Sequence, residues 1–194
     1  MTELLPLLTY SLVMSSTPGP NNIMLTASGA NFGYRRSLPH ILGIAAGHGP
    51  QIFLTCLGLG ALFEAYPVLH QVLRIAGAAY LVVLAWKLAG MAIGDKDMQR
   101  PLSFWQALAF QAVNPKGWVK AVTVATVFMP QGMDVPQASA LVTAISIAIN
   151  LPCVSMWTLF GVAIRRLLTD PRRQRIFNVI MAASLIILAI ALIV

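Results

Sequence analysis

Acidic residues are scarce in this chain: six Asp and Glu stand against 13 Lys and Arg in 194 residues. All six, Glu3, Glu64, Asp95, Asp97, Asp134 and Asp170, fall in or beside the connections between long apolar runs. No carboxylate is left for an apolar interior. Cysteine is scarcer still. Cys56 and Cys153 each lie inside an apolar run, which excludes the disulfide framework of a secreted domain. The three histidines, His40, His48 and His70, are spread out without paired cysteines or carboxylates, so no metal-ligand cluster is present. No stretch reads as a strand, and no Gly-rich phosphate cradle follows one. The basic residues have no interleaved aromatics for base stacking, so the net charge of +7 does not point to nucleic acid. No catalytic residue, metal or cofactor is implied.

What the chain does have is hydrocarbon. Hydrophobic residues make up 58% and charged residues 10%, against roughly 25% charged in soluble domains, and mean hydropathy is +0.77. This composition is that of an integral membrane protein. Six apolar runs are each long enough to cross about 30 Å of hydrocarbon: residues 4–27, 38–62, 68–88, 104–129, 135–163 and 176–194. No Lys or Arg precedes the first run and no small-residue cleavage site follows a short core, so a mature span is expected rather than a cleaved signal. Ten of the 13 Lys and Arg cluster at the first, third and fifth connections (Arg35, Arg36, Lys87, Lys96, Arg100, Arg165, Arg166, Arg172, Arg173, Arg175), and none lies in the second or fourth. Positive residues stay inside, which predicts a multi-pass inner-membrane protein with both termini outside. Arg74, near the outer end of the third run, is placed to snorkel.

Two runs cannot be continuous helices. Pro18 and Pro20 flank Gly19 in Thr17-Pro18-Gly19-Pro20-Asn21-Asn22, and Pro115 interrupts the fourth run within Asn114-Pro115-Lys116-Gly117. Each proline removes a backbone donor, leaving the carbonyls of Met14, Ser16 and Gln111 without their usual partners. Such breaks persist in lipid only where they are buried in protein or line a polar cavity. Pro18 and Pro115 are 97 residues apart, half the chain, and each half holds three runs. The predicted fold is therefore a single all-α transmembrane domain, residues 1–194. It consists of six helices in two inverted three-helix repeats, about 1–97 and 98–194, with the first and fourth helices broken at proline. Pro50 and Pro152, 102 apart, support the repeat loosely.

Thr17 to Ile23, the Gly-rich second run, Ala76-Gly77-Ala78-Ala79-Tyr80-Leu81 with Ala85-Trp86-Lys87, and Asn114-Pro115-Lys116 together resemble the small bacterial amino-acid exporters of the lysine-exporter and homoserine-resistance (LysE/RhtB) superfamily. The similarity covers nearly the whole chain and is greatest to the cysteine/O-acetylserine exporter branch. It implies a six-helix inverted-repeat transporter that exports a small amino acid across the inner membrane. Many members of the family carry Asp directly after Pro-Gly-Pro, where this chain has Asn21. That departure argues against a cationic substrate and against coupling through that position.

The residues themselves suit a zwitterion. The half-helix restarting after Pro20 presents free N–H groups and a positive dipole end to a carboxylate, with Asn21 and Asn22 expected as caps. The freed carbonyls of Met14, Ser16 and Gln111 suit an ammonium group. Lys116 lies about 18 Å into its run at a rise of about 1.5 Å per residue; its partner is either a substrate carboxylate or loosened backbone carbonyls. Lys120 reaches either the cavity or an interface. Thr17, Pro18, Gly19, Pro20, Asn21, Asn22, Asn114, Pro115 and Lys116 are thus the candidate substrate-binding residues. His48, Gln51 and Asn150 are candidates for coupling or for lining the cavity, each with interhelical hydrogen bonding as the structural alternative. The small residues around His48 and in the third run serve either internal packing or a homodimer. Two other functions fit the pattern: a thiol–disulfide relay through Cys56 and Cys153, also 97 residues apart, and a passive channel.

Overall fold

The computed structural model describes residues 4–59, 65–90, 100–168 and 170–193. Glu3, Glu64, Asp95, Lys96 and Asp97, which enter the charge pattern, lie outside the described residues. Eight α-helices and no strands are present among those described: α1 Leu4–Ser16, α2 Pro20–Phe32, α3 Tyr34–Leu54, α4 Pro67–Ala89, α5 Phe104–Val113, α6 Pro115–Val127, α7 Val135–Arg165 and α8 Pro171–Ile193. A wide π-turn, Thr55–Leu59, ends α3 through Gly58 at φ 120°.

Both proline breaks are present. Pro20 and Pro115 each occupy the first helical position, where a missing N–H costs nothing and a fixed φ favours the helix. Pro50 and Pro152, by contrast, lie inside continuous helices, each with its ring exposed. Four stretches are long and apolar enough to cross a membrane: Tyr34–Leu59, Gln71–Ala89, Val135–Arg165 and Pro171–Ala191. Each half of a broken pair has 10 to 13 residues, so about 15–20 Å of rise, and none of the four could span alone.

Two connections are shorter than the charge pattern suggested. Gly33 alone, at φ 83°, joins α2 to α3, and Arg35 and Arg36 begin α3. Arg172, Arg173 and Arg175 belong to the first turns of α8, where the Asp170 carboxylate accepts from the Arg172 amide at 2.7 Å. Polar residues at a helix start end an apolar run without ending the helix.

Among the described residues the two most extensive helix pairs are α2 on α7 and α4 on α8. In the first, Gly29 lies against the Thr158 carbonyl while Gly161 lies against that of Thr26, so the backbones touch and neither position has room for a Cβ. In the second, Ala78, Leu81 and Ala85 meet Ala182, Leu185 and Ala189. Gly43 and Gly47 place α3 against α5. Gly43, Gly47, Gly77, Ala78 and Ala85 therefore serve packing within the chain, while Ala76 and Ala79 of the third run are exposed. These contacts bring α1, α2, α3, α6 and α7 around the two breaks.

Candidate functional site

At the first break, α1 ends and the chain crosses Thr17, Pro18 and Gly19 in three non-helical residues. The Thr17 hydroxyl donates to the Met14 carbonyl at 3.3 Å, which fills one of that carbonyl's two acceptor positions. With Pro20 at the first helical position, Asn21 and Asn22 fall at the second and third. These are positions whose own amides need a cap, whereas a capping side chain sits one residue before the helix. The expected caps are accordingly not made. Gly19 precedes the helix and supplies no side chain. The buried Asn22 turns back instead, its Nδ2 donating to the carbonyls of Ser15 at 3.0 Å and Thr17 at 2.8 Å, which ties α2 to the end of α1.

Asn21 turns towards the second break. Its Nδ2 donates to Gln111 Oε1 at 3.0 Å and its Oδ1 accepts from Gln111 Nε2 at 3.2 Å. Gln111 also accepts from Asn114 Nδ2 at 3.2 Å and donates to the Ala107 carbonyl at 3.0 Å. This one buried amide joins both breaks. Its backbone carbonyl, freed by Pro115, is taken by Gln51 Nε2 at 3.1 Å and by the Asn114 amide at 3.2 Å. The expectation that it awaits a ligand ammonium is corrected: a neighbouring side chain lies close enough to satisfy it.

Lys116 and Lys120 lie one turn apart on α6. The Lys116 ammonium donates to the Thr17 carbonyl at 2.7 Å, the Thr17 hydroxyl at 2.8 Å and the Pro18 carbonyl at 3.2 Å. The acceptors offered by the first break are thus those of Thr17 and Pro18, and the protein's own lysine holds them. Lys120, 3% exposed, has one acceptor among the described residues, Ser15 Oγ at 3.1 Å, which Asn150 Nδ2 shares at 3.4 Å. Asn150 Oδ1, His48 Nε2, Gln51 Oε1 and Asn114 Oδ1 are buried without a partner among the described residues.

These groups surround one cavity of about 40 Å³. Gly19, Pro20, Asn21, Asn22, Asn114 and Lys116 line it, joined by His48 and Asn150. Thr17, Pro18, Pro115 and Gln51 are not in its lining: Thr17 and Pro18 hold the Lys116 ammonium at its edge, and Gln51 lies behind Gly117. Two ammonium groups face it, and no carboxylate does among the described residues. Asp134 and Asp170 sit instead at the starts of α7 and α8. The described residues contain no set of three potential metal ligands.

Sequence reasoning gave Gln111 a role only through its backbone carbonyl, left Lys120 open between the cavity and an interface, and missed Ser15. The available signal for Gln111 was an amide within an apolar stretch, four residues before a helix-breaking proline. A second buried polar cluster was also missed: Asn31 accepts from Gln174 Nε2 at 2.9 Å and donates to Asn178 Oδ1 at 3.0 Å, between α2 and α8. The cysteines have different surroundings. Cys56 packs with Leu7, Ile52 and Val124, whereas Cys153 lies by the Ser16 hydroxyl at 3.5 Å, and both are free thiols.

A profile of the family described as LysE type translocator matches residues 12–194. Proteins named cysteine/O-acetylserine efflux protein, from Escherichia coli (strain K12) and Shigella sonnei (strain Ss046), are each 33% identical to this chain over 189 residues, covering 94% of it and 93% of the relative. The protein of that name from Escherichia coli O139:H28 matches to the same extent. No solved structure matches this chain.

Proposed function

We propose that this chain, which belongs to the LysE type translocator family, is an inner-membrane exporter of a small neutral amino acid or close derivative, working by alternating access. The names of its relatives direct the choice to cysteine and O-acetylserine, with threonine, homoserine and leucine as neighbours in size. In this reading α1 with α2 and α5 with α6 each complete a span, giving six in two inverted repeats of about 1–97 and 98–194 within one domain. Both termini lie outside, and the arginine-bearing ends of α3, α7 and α8 lie in the cytoplasm.

The observation that carries the reading is the meeting of two broken helices on one cavity lined by amides and ammonium groups. A substrate carboxylate finds positive charge there, and a substrate ammonium finds the carbonyls of the first break. A substrate with a second positive charge finds no carboxylate among the described residues. Rocking of one repeat against the other would open the cavity to each side in turn.

The test is efflux of labelled amino acids from preloaded cells. Wild type exports at least one of the five, while well-inserted Lys116→Ala and Asn21→Ala turn over poorly. A Cys56→Ala, Cys153→Ala double variant keeps exporting, which a thiol relay could not do. Counterflow of labelled substrate against an unlabelled gradient distinguishes a carrier from a channel. Absence of efflux for all five substrates from normally inserted wild type refutes the proposal.

A further inference from the structure

The two lysines are held differently, although they stand one turn apart on α6 and face the same cavity. Lys116 has a complete set of acceptors for its three N–H bonds, all drawn from Thr17 and Pro18 at the first break. That trio of oxygens is a seat for any primary ammonium group, and the α-ammonium of an amino acid has the same three donors. Lys120 is the more deeply buried, yet only the Ser15 hydroxyl accepts from it among the described residues. Asn150, whose Nδ2 reaches that hydroxyl with one N–H and has a second to give, and the unpartnered His48 Nε2 complete a polar wall beside it.

Space points the same way. A cavity of 40 Å³ holds about three waters at roughly 10–15 Å³ each. An amino acid of seven heavy atoms does not fit until something moves. The Lys116 side chain is the obstacle at the rim: it runs along Gly19, where an added Cβ would stand 2.8 Å from its Cδ and 3.2 Å from its Nζ. Thr17 and Pro18, whose oxygens it holds, are exposed, so the lysine closes the cavity on its open side.

We propose that Lys120, with Ser15 and Asn150, binds the substrate carboxylate, and that Lys116 is a latch occupying the seat of the substrate ammonium until substrate displaces it. The proposal rests on the exporter reading above and assigns the roles of its two cations. Substrate entry then exchanges one ammonium for another on the same three oxygens, so no backbone acceptor is left bare at any stage. Return of Lys116 to its seat expels the substrate and resets the carrier. The latch lowers apparent affinity in proportion to the fraction of time it is open: closed nine-tenths of the time, it costs about tenfold.

The experiment is equilibrium binding of labelled cysteine, and of cysteine amide, which lacks the carboxylate, to purified full-length protein in detergent, with efflux measured in parallel. Lys120→Met is expected to weaken cysteine binding roughly tenfold to a hundredfold, as for loss of a charged hydrogen bond, and to leave cysteine amide binding unchanged. Lys116→Met is expected to tighten cysteine binding while slowing efflux. Gly19→Ala moves the latch without touching a charge; its extended backbone, φ −173°, accepts alanine, and it should shift binding in the same direction. If Lys116→Met abolishes cysteine binding and Lys120→Met spares it, the assignment is reversed and the proposal fails. If Lys120→Met weakens cysteine and its amide alike, Lys120 is only structural, which also overturns it. Monodisperse wild type that binds and exports none of the neutral amino acids refutes the exporter reading itself.

Discussion

The amide pair between Asn21 and Gln111 is the point at which the two breaks are fastened, and its strength can be worked out from the bonds it makes. Gln111 is buried, and its side chain makes two bonds to Asn21 and one to Asn114, besides one to its own helix. Hydrogen bonds between membrane helices average about 0.6 kcal/mol each. Replacing Gln111 with Ala therefore costs about 2 kcal/mol for these three bonds, or roughly thirtyfold in an equilibrium constant. The sharper quantity is the coupling. In a double-mutant cycle of Asn21→Ala with Gln111→Ala, the two reciprocal bonds predict an interaction of about 1 kcal/mol. Reversible unfolding in mixed detergent with rising SDS measures all four corners of the cycle, and efflux measured on the same variants shows whether transport follows. Distant, independent sites add to within about 0.3–0.5 kcal/mol. Additivity at that level would mean the amide pair does not hold the breaks together, and the account of the site would be wrong.

Two further perturbations test the scaffold and its selectivity. Gly161→Val drives a branched side chain into the Thr26 carbonyl and the Ala30 amide of α2. Because backbone rather than a flexible side chain is in the way, the loss should equal or exceed the ~1–3 kcal/mol usual for overpacking, and little monodisperse protein should be recovered by size-exclusion chromatography. Asn21→Asp places a carboxylate on the wall that carries Lys116 and Lys120 and keeps the side-chain volume. Efflux competition should then shift from neutral towards cationic amino acids such as lysine, and an unchanged preference would show that position 21 does not sense substrate charge.

What could be read from sequence divides along the range of the interaction. Pro18, Pro20 and Pro115 broke their helices as expected because a missing N–H acts on its own turn and needs no knowledge of neighbours. The failure of Asn21 and Asn22 to cap is also local: with Pro20 as the first helical residue, both stand too late in the helix. The destination of the freed carbonyls was out of reach, since Gln51 covers Gln111 from 60 residues away and Lys116 covers Thr17 from 99. A general constraint still limits the answer. Carbonyls freed inside a membrane protein must be satisfied in the empty state as well as in the loaded one, because the substrate is absent for part of every cycle. A binding site made from broken helices therefore has to carry stand-ins for its own ligand. The long polar side chains near the breaks are the natural candidates, and the lysine one residue after Pro115 is the one whose terminal group matches the ammonium of an amino acid.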